Sequence, residues 1–410
     1  MTTQTWFADA KLGIFVHWGI YAVDGVAESW SFFNGEVSYE SYMQQLGRFT
    51  AARYDAEEWA ELFEKAGARY AVLTAKHHDG VALWKTAHSD VNVVERTPAG
   101  RDLVAPFTEA LRRHDLKVGL YFSHLDWSHP DYPYRSLAQL RAAPTVEAPE
   151  NWDRFLTFHR DQLREVVTGY RPDLLWFDGE WEIPEPLWRM DEVHADLVTM
   201  KPDTVFNGRL LGHGDYSTPE QGAPITPPEG PWELCYTINN SWGHREADRD
   251  HKPLSFLIQL FVETIGAGGN LLLDVGPRPD GTIPSEQASR LEGLGRWIRR
   301  NEEAVYGTER GIPSGHFHGP TTLSKDRRTL YVFAFDPPRD HLTIRGLKNE
   351  VKRISVVGTG ETPAHRRVGG MDPVPGVLLI DAPATCDRYV TAVAVELDGE
   401  LELYRGEGRG

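Results

Sequence analysis

The stretch DAEEWAELFEKAGARYAVLTAK, residues 55–76, holds one complete helix-to-strand step, and the recurrence of that step decides the fold. Trp59, Leu62, Phe63 and Ala66 recur at helical spacing, acids open the segment and Gly67 closes it, which predicts an amphipathic helix over 55–67. The apolar run RYAVLTAK then predicts a buried strand. Two histidines and an aspartate, His77, His78 and Asp79, stand where that run stops.

The alternation continues from residue 10 to about 301. Strands are predicted at LGIFVHWG (12–19), LKVGLYFS (116–123), PDLLWFDG (172–179), DTVFNGR (203–209), WELCYTI (232–238) and NLLLDVGP (270–277). Helices are predicted at RDLVAPFTEALRRHD (101–115), WDRFLTFHRDQLREVVTGY (152–170), LWRMDEVHADLVTM (187–200), PLSFLIQLFVETIG (253–266) and SEQASRLEGLGRWIRRN (285–301). Seven or eight such units over some 300 residues fit a (β/α)8-like barrel, regular or irregular, better than an open doubly wound sheet. No glycine-rich phosphate loop follows any strand, since GAGGN (266–270) precedes one. Beyond about residue 310 the texture changes to short alternating runs, among them TLYVFAF, HLTIRGL, GVLLIDA and YVTAVAVEL, which predict an antiparallel β-sandwich. The expected organisation is a barrel over 1–307 and a sandwich over 308–410. All thirteen tryptophans lie between Trp6 and Trp297, in accord with that division.

A formal charge of −17 makes nucleic acid or an anionic membrane surface an unfavourable partner. No apolar run is long enough to cross a bilayer, and MTTQTWFADAKLGIF has no basic segment followed by an apolar one, so the expected location is cytoplasmic. Two cysteines, Cys235 and Cys386, in different expected domains, imply no disulfide framework.

In a (β/α)8 barrel the reacting groups sit at the C-terminal ends of the strands. Here those ends carry His17 and Trp18; His77, His78 and Asp79; Tyr121, His124, Asp126 and Trp127; Trp176, Asp178, Glu180 and Trp181; and Asn207 and Arg209, while the sixth strand opens with Trp232 and Glu233. Tryptophans interleaved with hydrogen-bonding groups suit a sugar, whose C–H faces stack on aromatic rings. Cleaving a glycosidic bond requires two carboxylates. Asp178 is the first candidate nucleophile, because LLWFDG drives an apolar strand into an aspartate followed by a turn-forming glycine. For the acid, Glu28, Glu180, Glu182, Glu220 and Glu233 all remain open by position. The segment 210–231 is long, Gly- and Pro-rich, and reads either as a substrate-covering loop or as a plain insertion. A metal site built from His17, His77, Asp79 and Asp178 lacks the usual ligand spacings, so neither metal nor cofactor is expected.

Taken together, WFADAKLGIFVHWGIYAV, YAVLTAKHHDGVALW, GLYFSHLDW, PDLLWFDG and GGNLLLDVGPRPDGTIP resemble, in order over about residues 5–307, the α-L-fucosidases of glycoside hydrolase family 29. The resemblance implies a retaining exo-glycosidase that removes terminal α-L-fucose through a glycosyl-aspartate at Asp178. It implies His17, His77 and His78 as ligands of sugar hydroxyls, Tyr121 and Trp176 in the pocket wall, Arg209 as a basic ligand, and Glu28 and Trp30 at the pocket. Glu220 corresponds best to the family's acid/base, with Glu233 in reserve. The implied partner is a fucosylated glycan, and a homo-oligomer would be unsurprising. The family often has Glu-Trp-Tyr where this chain has ESWSFF, which leaves the register of Glu28 and Trp30 open by one residue. Asp274 stands where asparagine is usual. A glycosidase for a related sugar such as α-L-galactose, and a non-catalytic carbohydrate-binding protein, are the alternatives.

Overall fold

The computed structural model describes residues 5–142, 146 and 148–406. Seven parallel strands form one curled sheet: β1 (Leu12–Val16), β2 (Tyr70–Lys76), β3 (Lys117–Ser123), β4 (Leu174–Asp178), β5 (Val205–Phe206), β6 (Glu233–Thr237) and β7 (Asn270–Val275), in the order β5-β4-β3-β2-β1-β7-β6. The helix leading into β2 runs Ala56–Ala66. The Asp55 side chain caps its first turn by accepting from the backbone N–H of Glu57 at 2.9 Å, and Gly67 ends it at φ 86°. Its apolar face packs against the helices Val104–Arg113 and Ser285–Arg300.

The strand period sorts side chains into two layers. Ile14, Val16, Leu73, Leu120, Phe177, Leu234 and Leu273 face the helices, whereas Phe15, Val72, Tyr121, Leu174, Trp176, Cys235 and Leu272 fill the interior. Along β4 the inward series is therefore Leu174, Trp176, Asp178, climbing from the floor to the mouth. Gly13 leaves room for a large ring on the neighbouring strand, since a Cβ there would stand 2.3 Å from the ring of Tyr70.

Between the edge strands β5 and β6 lies the segment 215–221, within the stretch whose sequence reads as a covering loop or an insertion. It is part of the wall. Parallel bridges join Asn207 to Tyr216, Ser217 to Trp232 and Glu220 to Cys235. The backbone N–H groups of Ser217 and Gln221 donate to the carbonyls of Pro231 and Cys235, at 3.1 and 3.0 Å, and the N–H groups of Glu233 and Cys235 return bonds to Ser217 and Pro219, at 2.9 and 3.1 Å. An irregular eighth stave thus closes the barrel and carries Glu220.

The helix predicted over 187–200 breaks at Arg189, whose φ is 53°, into Glu185–Trp188 and Met190–Met200. The C-terminal strands form a five-stranded and a three-stranded antiparallel sheet around one core that includes Leu330, Val332, Ile344, Ile380 and Val393. The first of these strands is Thr308–Arg310; it, Thr321–Ser324 and His365–Val368 were missing from the sequence reading. The indole N–H of Trp297 donates to the carbonyl of Val390 at 3.0 Å, which ties the sandwich to a barrel helix. Among the described residues no helix is long and apolar enough to cross a membrane.

Candidate active site

Asp178 ends β4 and is buried, 8% exposed, with Gly179 turning the chain away at φ 91°. One carboxylate oxygen, Oδ2, accepts from the Tyr121 hydroxyl at 2.7 Å; the other, Oδ1, accepts from the Arg209 guanidinium. The second arm of the same guanidinium donates to Glu220 Oε2 at 2.7 Å. Burial opposes the charge on Arg209, but the carboxylates of Asp178 and Glu220 outweigh it and hold the guanidinium protonated. Hydrogen bonds to ionised groups are worth about 1.5–3 kcal/mol each, so this chain of contacts fixes Asp178 firmly. Arg209 also lies 4.7 Å above the Trp176 ring, a cation–π contact that orients the guanidinium plane.

These groups open into a pocket lined also by Phe15, His17, Glu28, Trp30, His77 and Trp242. Burial favours the neutral ring in its two histidines, His17 and His77, and in His78 beside it. His17 Nδ1 lies 2.6 Å from Asp274 Oδ1; burial pushes the imidazole down to about 4 and the Asp274 carboxyl up, both of which disfavour an ion pair. His77 Nδ1 contacts Ser29 Oγ at 2.6 Å, and its ring stacks on Tyr121 with planes 5° apart. His78 Nδ1 contacts Ser123 Oγ at 2.6 Å, leaving its Nε2 unpartnered at 3.6 Å from Asp178 Oδ2. Burial holds both rings well below the usual histidine range.

Residues 77–80 form a turn in which the N–H of Gly80 donates to the carbonyl of His77 at 3.1 Å, so the strict in-and-out alternation expected of a strand does not apply to the two histidines. Asp79 points away from the pocket, accepting from the Tyr42 hydroxyl at 2.6 Å and from the Val81 N–H at 2.9 Å. Its role is to brace the turn. Among the described residues no group of three His, Cys, Asp or Glu side chains is placed to hold a metal ion.

Glu28 and Trp30 both reach the pocket because Ser29 between them adopts φ 52°, a conformation rare for a residue other than glycine. Three hydrogen bonds hold it there: its N–H to the Tyr42 hydroxyl at 3.1 Å, its hydroxyl against His77, and the Asp79 N–H to its hydroxyl at 2.9 Å. Burial raises the Glu28 carboxyl above the usual range; the Gly243 N–H donates to it at 3.3 Å.

Glu233, the reserve acid, is not part of the pocket. It stands at the opposite end of its strand, at the start of β6, fully buried, accepting from the Tyr70 and Tyr216 hydroxyls and, at 2.9 Å, from the Trp176 indole N–H. Burial raises its carboxyl to about 7. Glu182 is likewise occupied, by the Tyr132 hydroxyl at 2.7 Å and the Trp127 indole at 3.1 Å. Phe15, Cys235 and Trp242 line the pocket but were missed. The inward period of β1 and β6 would have found the first two, whereas Trp242 arrives on an irregular loop after β6 with no periodic signal.

A parallel barrel with two carboxylates on one arginine, in a mouth of neutral histidines and indoles, defines a glycoside hydrolase. Residues 1–303 match the family model for α-L-fucosidase. The tissue α-L-fucosidase of Rattus norvegicus is 35% identical over 335 residues, covering 74% of this chain and 70% of that protein. Among solved structures, α-L-fucosidase isoenzyme 1 from Paenibacillus thiaminolyticus superposes with a TM-score of 0.87 at 30% identity, covering 97% of this chain and 99% of its own. The α-fucosidase of Thermotoga maritima gives 0.80 at 31% identity, covering 96% and 97%. The chain belongs to the α-L-fucosidase family.

Proposed function

We propose that this fucosidase is a retaining exo-enzyme, with Asp178 as nucleophile and Glu220 as acid and then base. The observation that carries the reading is the single guanidinium of Arg209 spanning both carboxylates at the mouth of the pocket. Retaining pairs stand about 5–5.5 Å apart, whereas inverting pairs need roughly 6.5–9.5 Å to admit a water, and a single guanidinium hydrogen-bonded to both carboxylates keeps them near one another. A mechanism-based inhibitor was bound in a structure of the Thermotoga maritima relative, in accord with this chemistry.

In the first step an Asp178 oxygen bonds to the anomeric carbon while the bond from that carbon to the leaving oxygen breaks, and Glu220 gives its proton to that oxygen. In the second, Glu220 takes a proton from water, whose oxygen attacks the anomeric carbon and releases Asp178 and the sugar. Tyr121 and Arg209 aim the carboxylate. His17 and His77 on the pocket wall, and His78 with its Nε2 3.6 Å from Asp178, offer hydrogen bonds to hydroxyls without competing charge, and Trp30 and Trp176 supply apolar faces. A floor closed by Phe15, Trp176 and Cys235 suits a terminal residue. The test is nitrophenol release from para-nitrophenyl α-L-fucoside beside the α-L-galactoside and the β-D-fucoside. Fucoside cleavage that is lost in Asp178→Gly is the expected result; full activity in that variant would overturn the assignment.

A further inference from the structure

We propose that the open groove beside the pocket is the leaving-group site, and that it accepts neutral, hydroxyl-rich glycans and rejects anionic ones; this rests on the hydrolytic reading above. The groove shares Trp181, Arg209 and Glu220 with the pocket and then continues outward past Asp215 and Glu229. Because Glu220 hands its proton to the departing oxygen, the departing group lies on Glu220's outer side, where the groove begins.

Two features of the walls suit a sugar ring. Trp181 is 49% exposed: Trp30 stacks loosely against it at 6.3 Å with planes 14° apart, Arg209 lies 5.9 Å from its ring and His78 meets it edge-on at 5.9 Å, and the exposed remainder of the indole is open to a second sugar residue. The lining also includes Gly208 and Gly214, which approach so closely that a Cβ on Gly214 would stand 2.4 Å from the Gly208 Cα, so that neither puts a side chain in the way of a ring.

The charge on these walls sets the ligand class. Glu180, Asp215, Glu220 and Glu229 line the groove, and its cation among the described residues, Arg209, is already engaged by Asp178 and Glu220. Carboxylates accept from sugar hydroxyls, so a neutral glycan gains hydrogen bonds there. A sulfate or carboxylate on the same glycan meets like charge, the repulsive element from which selectivity is built.

The experiment compares kcat/KM of the full chain for α-L-fucosyl-N-acetylglucosamine and for the same disaccharide sulfated on the glucosamine primary hydroxyl, with para-nitrophenyl α-L-fucoside as reference. At low ionic strength the neutral disaccharide is expected to be preferred by about tenfold or more, a ratio that salt near 0.5 M narrows because exposed charges are screened. Glu229→Lys, an exposed position, narrows the same ratio on a folded enzyme. Equal rates, a preference indifferent to both salt and Glu229→Lys, or cleavage of the nitrophenyl fucoside with neither disaccharide turned over, would each overturn the proposal. Failure on the nitrophenyl fucoside itself strikes instead at the hydrolytic reading, and takes this inference with it.

Discussion

Asp178 and Glu233 are two carboxylates inside one barrel, both held by hydroxyl or indole donors, yet they stand at opposite ends of it. Asp178 closes β4 at the mouth, touching a hydroxyl, a guanidinium and open pocket. Glu233 opens β6 at the floor, enclosed by Tyr70, Trp176 and Tyr216. The difference teaches that in a parallel barrel the position of an acid along its strand decides its work: the C-terminal end meets substrate and the N-terminal end meets only packing. Trp176 links the two levels, since its ring lines the pocket while its N–H donates to Glu233.

Substitution sharpens that contrast. Asp178→Gly is expected to give the largest effect, a loss of roughly 10^3-fold or more in kcat on a chain that still folds, although Tyr121 and Arg209 lose a shared acceptor. Glu220→Gln comes next. General acid–base catalysis is worth about 10^2–10^4-fold, and the loss should be greater with a disaccharide than with the nitrophenyl fucoside, whose good leaving group needs little proton assistance. Equal losses on both substrates would move the acid role elsewhere.

Glu233→Gln should leave kcat unchanged and instead alter stability with pH. Its folded carboxyl titrates near 7 against an ordinary value of 4.5, so between those values the folded chain keeps a proton that the unfolded chain has lost. The stability that Glu233 contributes is therefore complete below about pH 4.5 and lost as pH rises to 7, at about 1.4 kcal/mol per pH unit. The always-neutral glutamine has no such loss. Denaturant unfolding at pH 5 and pH 7.5 should show the variant gaining on the parent by a few kcal/mol; a gap independent of pH, or a collapse of kcat, would erase the distinction between floor and mouth.

Much of this was legible in the sequence because the regular units obey simple periods. The helix after Asp55 and the buried strands at Tyr70–Lys76 and Leu174–Asp178 lie within a few residues of where apolar spacing and caps put them. The eighth stave was not legible: GDYSTPEQGAP has neither alternation nor β-branched runs, and its place in the wall comes from isolated bridges to β5 and β6. Glu28 and Trp30 point the same way only because Ser29 takes a left-handed φ that three hydrogen bonds sustain, a tertiary effect no local pattern encodes. Glu233 is the opposite case, since its place at the start of a strand was visible and could have set it aside.

The most direct measurement is to treat the protein with a 2-fluoro-fucosyl fluoride, which slows release of a glycosyl-enzyme, and to map the label by peptide mass spectrometry. The account predicts a gain of one fluorofucosyl group, confined to the peptide carrying Asp178 and absent in Asp178→Gly. Label on Glu220 or Glu233, or turnover of the fucoside with inversion at the anomeric carbon and no adduct, would contradict it.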